Sequence, residues 1–174
     1  MPAQNPMSNE LQALLVSLGN GVARFPLIAQ DGGRFPGIQP FDSNSFHKCR
    51  LPAEAHAGLL LYAGFGHQSH DVSQQLTSRE ASYWHAIYHR MEPDDSNAKY
   101  WFLRAGPHEI GPALAEASRN AGWNPGRNWE HVRFVDFVSE SRMASDPSAR
   151  LLAEKIQLIE WQLLFDFCAK DVNE

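Results

Sequence analysis

His85 and His89 stand four residues apart in the run Trp84-His85-Ala86-Ile87-Tyr88-His89. In a helix that spacing places two imidazoles on one face, where both can reach a single metal ion. Two ligands do not complete a site, and further candidates precede them: His56, His67, His70 beside Asp71, and Glu80. If the helices around Ala53 and Glu80 pack antiparallel, His56, His85 and His89 converge with one carboxylate. The result would be a three-His or two-His-one-carboxylate sphere for Zn, Fe, Mn or Ni, with an open position able to activate water. The candidate metal ligands are therefore His56, His70, His85, His89 and Glu80, with Glu80 or Asp71 as ligand or base. A zincin would need Glu where Ala86 stands, and the inverted motif would need Glu where Tyr88 stands, so neither protease pattern is present. A structural role accounts for the same residues. His85 would be a hydrogen-bonded core histidine beside Trp84 and Tyr88. His89 at a helix C-terminus suits the macrodipole, and it and Arg90 could pair with Glu92 or Asp94.

A second constellation mixes charges. Arg90, Lys99 and Arg104 lie among Glu92, Asp94 and Asp95, and could hold an anionic small molecule or form ion pairs that close a helical hairpin. The candidate ligand-binding set is Arg90, Glu92, Asp94, Lys99 and Arg104, with Asn97 as a cap or first-turn residue. Gly64-Phe65-Gly66 and Gly32-Gly33 lack the rest of a phosphate loop, and no G-x-S-x-G elbow supports a hydrolase triad.

These residues need elements to position them. Leu11, Leu14, Leu15 and Leu18 predict an N-terminal helix over 8–19, ended by Gly19. From 20 to 50, glycines and prolines break regular structure while Phe25, Phe35, Phe41 and Phe46 are interleaved, so an irregular segment pinned across the core is expected. From 51 onward a helical core follows. Pro52 opens a helix apolar nearly all round from Ala53 to Ala63, and Ser69 caps a short helix carrying Val72 and Leu76. Thr77 with Glu80 then reads as a capping box for the helix of Ala81, Trp84, His85 and Tyr88, which must stop near Glu92-Pro93. Ala98, Trp101, Phe102 and Ala105 repeat the spacing, and Ile110, Ala113, Leu114, Ala117 and Ala121 make another helix closed by Gly122. Residues 132–138 are helical or, given their valines, a strand. Asp146-Pro147 opens the last helix, on which Trp161 and Phe165 look exposed enough to pack a second subunit. The expectation is an all-α single domain over 1–174 of about seven helices, stacked hairpins or an irregular bundle.

The pair from Ser82 to Pro107 looks like one tetratricopeptide or Sel1-type hairpin, without a second copy at a fixed period. The stretch Tyr83 to His108 resembles a family of uncharacterised bacterial proteins, with relatives in fungi, that share a pattern like YWHAIxHRxEPDxSNAKYWFxRxGxH. The likeness covers about residues 50 to 115. It implies a mostly helical protein whose distinctive polar set is His85, His89, Arg90, Glu92, Asp94, Asn97, Lys99, Arg104 and His108, and it carries no mechanism. Met91 stands where that family has a second basic residue.

Composition bounds the rest. In 174 residues, 15 Lys+Arg against 20 Asp+Glu leave a net charge of −5, with no dense basic run to neutralise a phosphate backbone, so nucleic acid is not an expected partner. The longest apolar run, Ala57 to Gly66, is about half the ~20 residues a membrane span needs. No basic region precedes the first apolar segment, and the expected compartment is the cytoplasm. Cys49 and Cys168 read as free, buried thiols. The functional expectation is a helical protein, non-catalytic or binding a small ligand, with its histidine-rich face as the candidate site. The alternatives are a metal-dependent hydrolase or oxidoreductase on a small molecule, and a helical interaction module, with a homodimer as a further expectation.

Overall fold

A computed structural model describes residues 9–172. Eight α-helices are found among them: α1 (Asn9–Ser17), α2 (Pro52–Ala63), α3 (Gly66–Gln74), α4 (Arg79–Met91), α5 (Asp95–Ala105), α6 (Gly111–Ala121), α7 (His131–Met143) and α8 (Pro147–Ala169). Two short 3₁₀ turns, Gly19–Gly21 and Ser43–Phe46, lie in the segment between α1 and α2. The fold is all-α, one helix more than the apolar periodicities suggest. Residues 132–138 are helical within α7, because Phe134, Val135 and Val138 bury one helical face despite their β-preferring side chains.

The centre is built from the two most apolar stretches. Every residue of α2 from Glu54 to Ala63 is buried, and so is every residue of α4 from Ala81 to Met91. They cross closely because Gly58 has no side chain: a Cβ there would come within 2.5 Å of the Trp84 ring. The Gly58 carbonyl accepts the indole N–H of Trp161 at 2.7 Å. Trp161 is thereby a core residue, 1% exposed and stacked on Tyr62 at 4.3 Å, and Phe165 is buried beside it. This corrects the reading of both as a dimer face. The long α8 carries one stripe of core contacts to α2, α6 and α7.

Gly64 ends α2 in the left-handed region (φ 86°), a conformation that a side chain would strain, and α3 folds back from it. The segment 20–50 runs over that turn. Gly33 and Arg34 donate their amides to Gly64 and Ala63, the Arg34 guanidinium lies 4.3 Å over the Tyr62 ring, and Phe25 and Phe46 are fully buried. No described helix is long and apolar enough to cross a membrane.

Candidate functional site

Three helices bring the site together. α3 supplies His70, and Ser69 anchors that helix by donating its hydroxyl to the Ala57 carbonyl of α2 at 2.8 Å. The cap of α3 is therefore not Ser69; Phe65 precedes its first turn, which Asp31 holds by accepting the His67 amide at 2.8 Å. α4 supplies His85 and His89. It is capped by Ser78, which accepts the Ala81 amide, rather than by Thr77, and its Glu80 points elsewhere. α5, capped by Asp94 with Asn97 in its first turn, brings the Trp101 face onto the His85 ring at 4.0 Å and 16°.

The imidazole nitrogens of His70, His85 and His89, one from each residue, lie within 4.8 Å of one another. Ring centroids are 4.4 Å apart for His70 and His85, 4.7 Å for His85 and His89, and 5.3 Å for His70 and His89. His85 is 4% exposed, and its Nδ1 is buried with no hydrogen-bond partner. An orphaned buried nitrogen is uncommon, and a coordinated ion is one partner that would satisfy it. Burial, reinforced by His70, His89 and Arg104, lowers the His85 pKa from 6.5 to about 3. Burial also lowers that of His89, against the opposing pull of Glu92 and Asp94. Both rings are thus held neutral near pH 7, the form that offers a lone pair to a metal.

Acidic and polar groups flank the cluster. The Glu92 carboxylate lies 3.2 Å from His89 Nδ1 and accepts the Tyr88 hydroxyl at 2.7 Å on its other oxygen. The Asn97 side-chain nitrogen sits 3.3 Å from His89 Nδ1 and 3.2 Å from its Nε2. Asp71 approaches His70 to 3.9 Å, and His67 pairs with Asp31 at 2.8 Å. The spacing of Tyr88 and Glu92, one helical turn apart, is the sequence signal that would have revealed their pairing. The Trp101 platform has no such local signal.

The other predicted residues are dispersed. His56 faces the 20–50 segment, with Nε2 at 2.8 Å from the Phe41 carbonyl and its ring against Phe46, so the ring that joins His85 and His89 comes from α3 instead of α2. Glu80 lies 3.2 Å from His108 Nε2, whose other ring nitrogen accepts the Ile110 amide. Arg90 is fully buried and pairs with Glu160 of α8 at 2.5 Å, not with Glu92 or Asp94. Lys99 pairs with Asp136, Asp94 caps α5, and Arg104 lies over the Trp101 ring at 5.0 Å. Arg90, Glu92, Asp94, Lys99 and Arg104 therefore do not converge on one ligand.

Comparison with known proteins returns no match: no protein family, no curated protein and no solved structure. The functional reading rests on the geometry alone.

Three clefts lie elsewhere. The largest, about 570 Å³, lies between Pro107–Pro112 and Asn128–His131. In it His131 accepts the Trp129 indole N–H at 2.9 Å, and burial lowers its pKa to about 3. A second of about 340 Å³ adjoins it beside Leu103 and Val132, and a third of about 420 Å³ lies between α1, α6 and α8. None of the three is lined by His70, His85 or His89.

Proposed function

We propose that this protein binds a divalent transition metal through His70, His85 and His89 and uses it on a small molecule. The observation that carries the reading is the convergence of three imidazole nitrogens from two helices within 4.8 Å. The neutral ring forms, the unpartnered His85 nitrogen and the carboxylates of Glu92 beside His89 and Asp71 near His70 support it. Three neutral donors leave the full charge of the ion at the site, the condition under which a bound water becomes acidic enough to react near neutral pH. Imidazole donors suit Zn, Fe and Ni.

Elemental analysis of tag-free protein tests the proposal. The expected result is near-stoichiometric Zn, Fe, Mn or Ni, or its uptake on addition, lost in His85→Ala/His89→Ala and strongly reduced in His70→Ala. A folded protein that neither carries nor takes up these metals overturns it.

The stacking of His85 between Trp101 and His89 favours a second reading, a metal-free helical ligand binder in which the cluster is part of the core. That reading expects His85→Ala to lower stability with no change in metal content.

A further inference from the structure

We infer that Glu92, held by the Tyr88 hydroxyl, is the positioning residue of the metal centre, fixing His89 so that its Nε2 is the ligand atom. The inference rests on the proposed metal site and goes further by assigning a tautomer and the group that sets it. One carboxylate oxygen of Glu92 lies 3.2 Å from His89 Nδ1, close enough to accept that N–H, and the other accepts the Tyr88 hydroxyl at 2.7 Å. With a proton on Nδ1, the free lone pair is on Nε2. The Asn97 side-chain nitrogen lies 3.3 Å from Nδ1 and 3.2 Å from Nε2 and so does not choose between them, which leaves the Glu92 carboxylate as the group that sets the tautomer.

The chemistry follows from the order of these contacts. A carboxylate behind a ligating imidazole makes the ring more basic, locks its orientation and shares the positive charge of the ion. Tyr88 and Glu92 are one turn apart on α4 and its end, so the holder and the held group form one rigid unit with His89 between them in sequence. The three histidines are not treated alike. His85 has Trp101 against its face and no hydrogen bond to its buried Nδ1, and His70 has only Asp71 at 3.9 Å. His89 alone of the three has a carboxylate within hydrogen-bond reach, which makes it the anchoring ligand.

The experiment measures Zn²⁺ affinity by competition with a chromophoric chelator on tag-free wild type, Glu92→Ala, Glu92→Gln and Tyr88→Phe. Co²⁺ absorption reports the coordination geometry, and ¹⁵N shifts of the metal-free protein report the His89 tautomer. The expected results are the Nδ1–H tautomer, affinity weakened about 10- to 100-fold in Glu92→Ala, partial retention in Glu92→Gln, and a smaller loss in Tyr88→Phe. Glu92 is 37% exposed at its side chain, so the fold tolerates these changes, and the unfolding midpoint of each metal-free variant checks it. Unchanged affinity in Glu92→Ala, or the Nε2–H tautomer in wild type, overturns the positioning role while leaving the metal site standing. Wild type that takes up no Zn²⁺ or Co²⁺ overturns the metal site and this role together.

Discussion

Helix α4 carries two buried polar clusters on different faces, and they are finished in different ways. Toward α8, Arg90 donates to Glu160 at 2.5 Å and to Gln157 at 3.2 Å, Tyr83 donates its hydroxyl to Glu160 at 2.9 Å, and the Arg90 guanidinium covers Phe134 at 4.6 Å. One Arg90 nitrogen, Nη1, has no acceptor, but the charge is matched by a carboxylate that is itself fully buried. Toward α3, three imidazoles meet with a carboxylate close against His89 alone, and His85 makes no hydrogen bond through its buried nitrogen. The first cluster is complete within the chain and joins helices. The second leaves donor atoms facing one another, an arrangement a cation would complete.

The contrast predicts opposite responses to mutation. Arg90→Ala leaves Glu160 buried without its counter-charge and is expected to cost about 3–5 kcal/mol in urea unfolding. A loss under 1 kcal/mol would break the distinction from the α8 side. His85→Phe keeps an aromatic ring against Trp101 and removes the orphaned nitrogen. Metal-free protein is expected to gain up to about 1 kcal/mol while metal uptake is lost. A large destabilisation would show that His85 is a structural member of the core after all.

The pH dependence sharpens the same point. The folded His85 pKa of about 3 lies below the ordinary 6.5, so the unfolded chain binds the proton first. Stability is therefore unaffected by this group above pH 6.5 and falls as pH drops from 6.5 toward 3. His131, also lowered to about 3, acts in the same direction. Unfolding midpoints across that range are expected to decline less steeply in His85→Phe, with the His131 share remaining. Parallel curves for the two proteins would contradict the burial of His85 in its neutral form.

The smallest effect belongs to the outer surface. Lys99 pairs with Asp136 at 2.5 Å, both partly exposed, and Lys99→Met is expected to change stability by no more than about 1 kcal/mol and Zn²⁺ uptake not at all. A change in metal affinity would draw Lys99 back into the site.

Much of this could be read along the chain, since helices follow from apolar spacing and from residues with restricted backbones. Gly64, Gly122 and Pro93 end helices close to where their chemistry requires, and the pairing of His85 with His89 follows from the helical period alone. The third histidine is another matter. His56 and His70 are equally available in sequence, and the choice between them depends on how α3 folds back at Gly64 and which face of α2 meets the 20–50 segment. The partner of Arg90 was out of reach for a similar reason: Glu160 is 70 residues away, while Glu92 and Asp94 are near neighbours. Trp161 looked like an exposed aromatic on an amphipathic helix, and only the approach of Gly58 and Tyr62 from α2 encloses it. The cap of α4 falls one residue from expectation, at Ser78 instead of Thr77, because neighbouring hydroxyl groups compete for the same amides.

The tether between the early segment and the site also sets an order of events. Ala29 donates its amide to Met91, Gln30 accepts that of Gly66, and Asp31 holds the amide of His67, so three consecutive residues join the end of α4 to the start of α3. Each of these contacts spans dozens of residues, whereas the α4–α5 hairpin closes over a short turn. Local pairing is fast and distant loop closure is slow, so α3, α4 and α5, joined by short turns, pair early, and the docking of residues 29–31 that fixes α3 against the end of α4 comes late. During refolding from urea, tight metal capture should therefore lag behind the recovery of helix signal, its onset timed by the docking of residues 29–31.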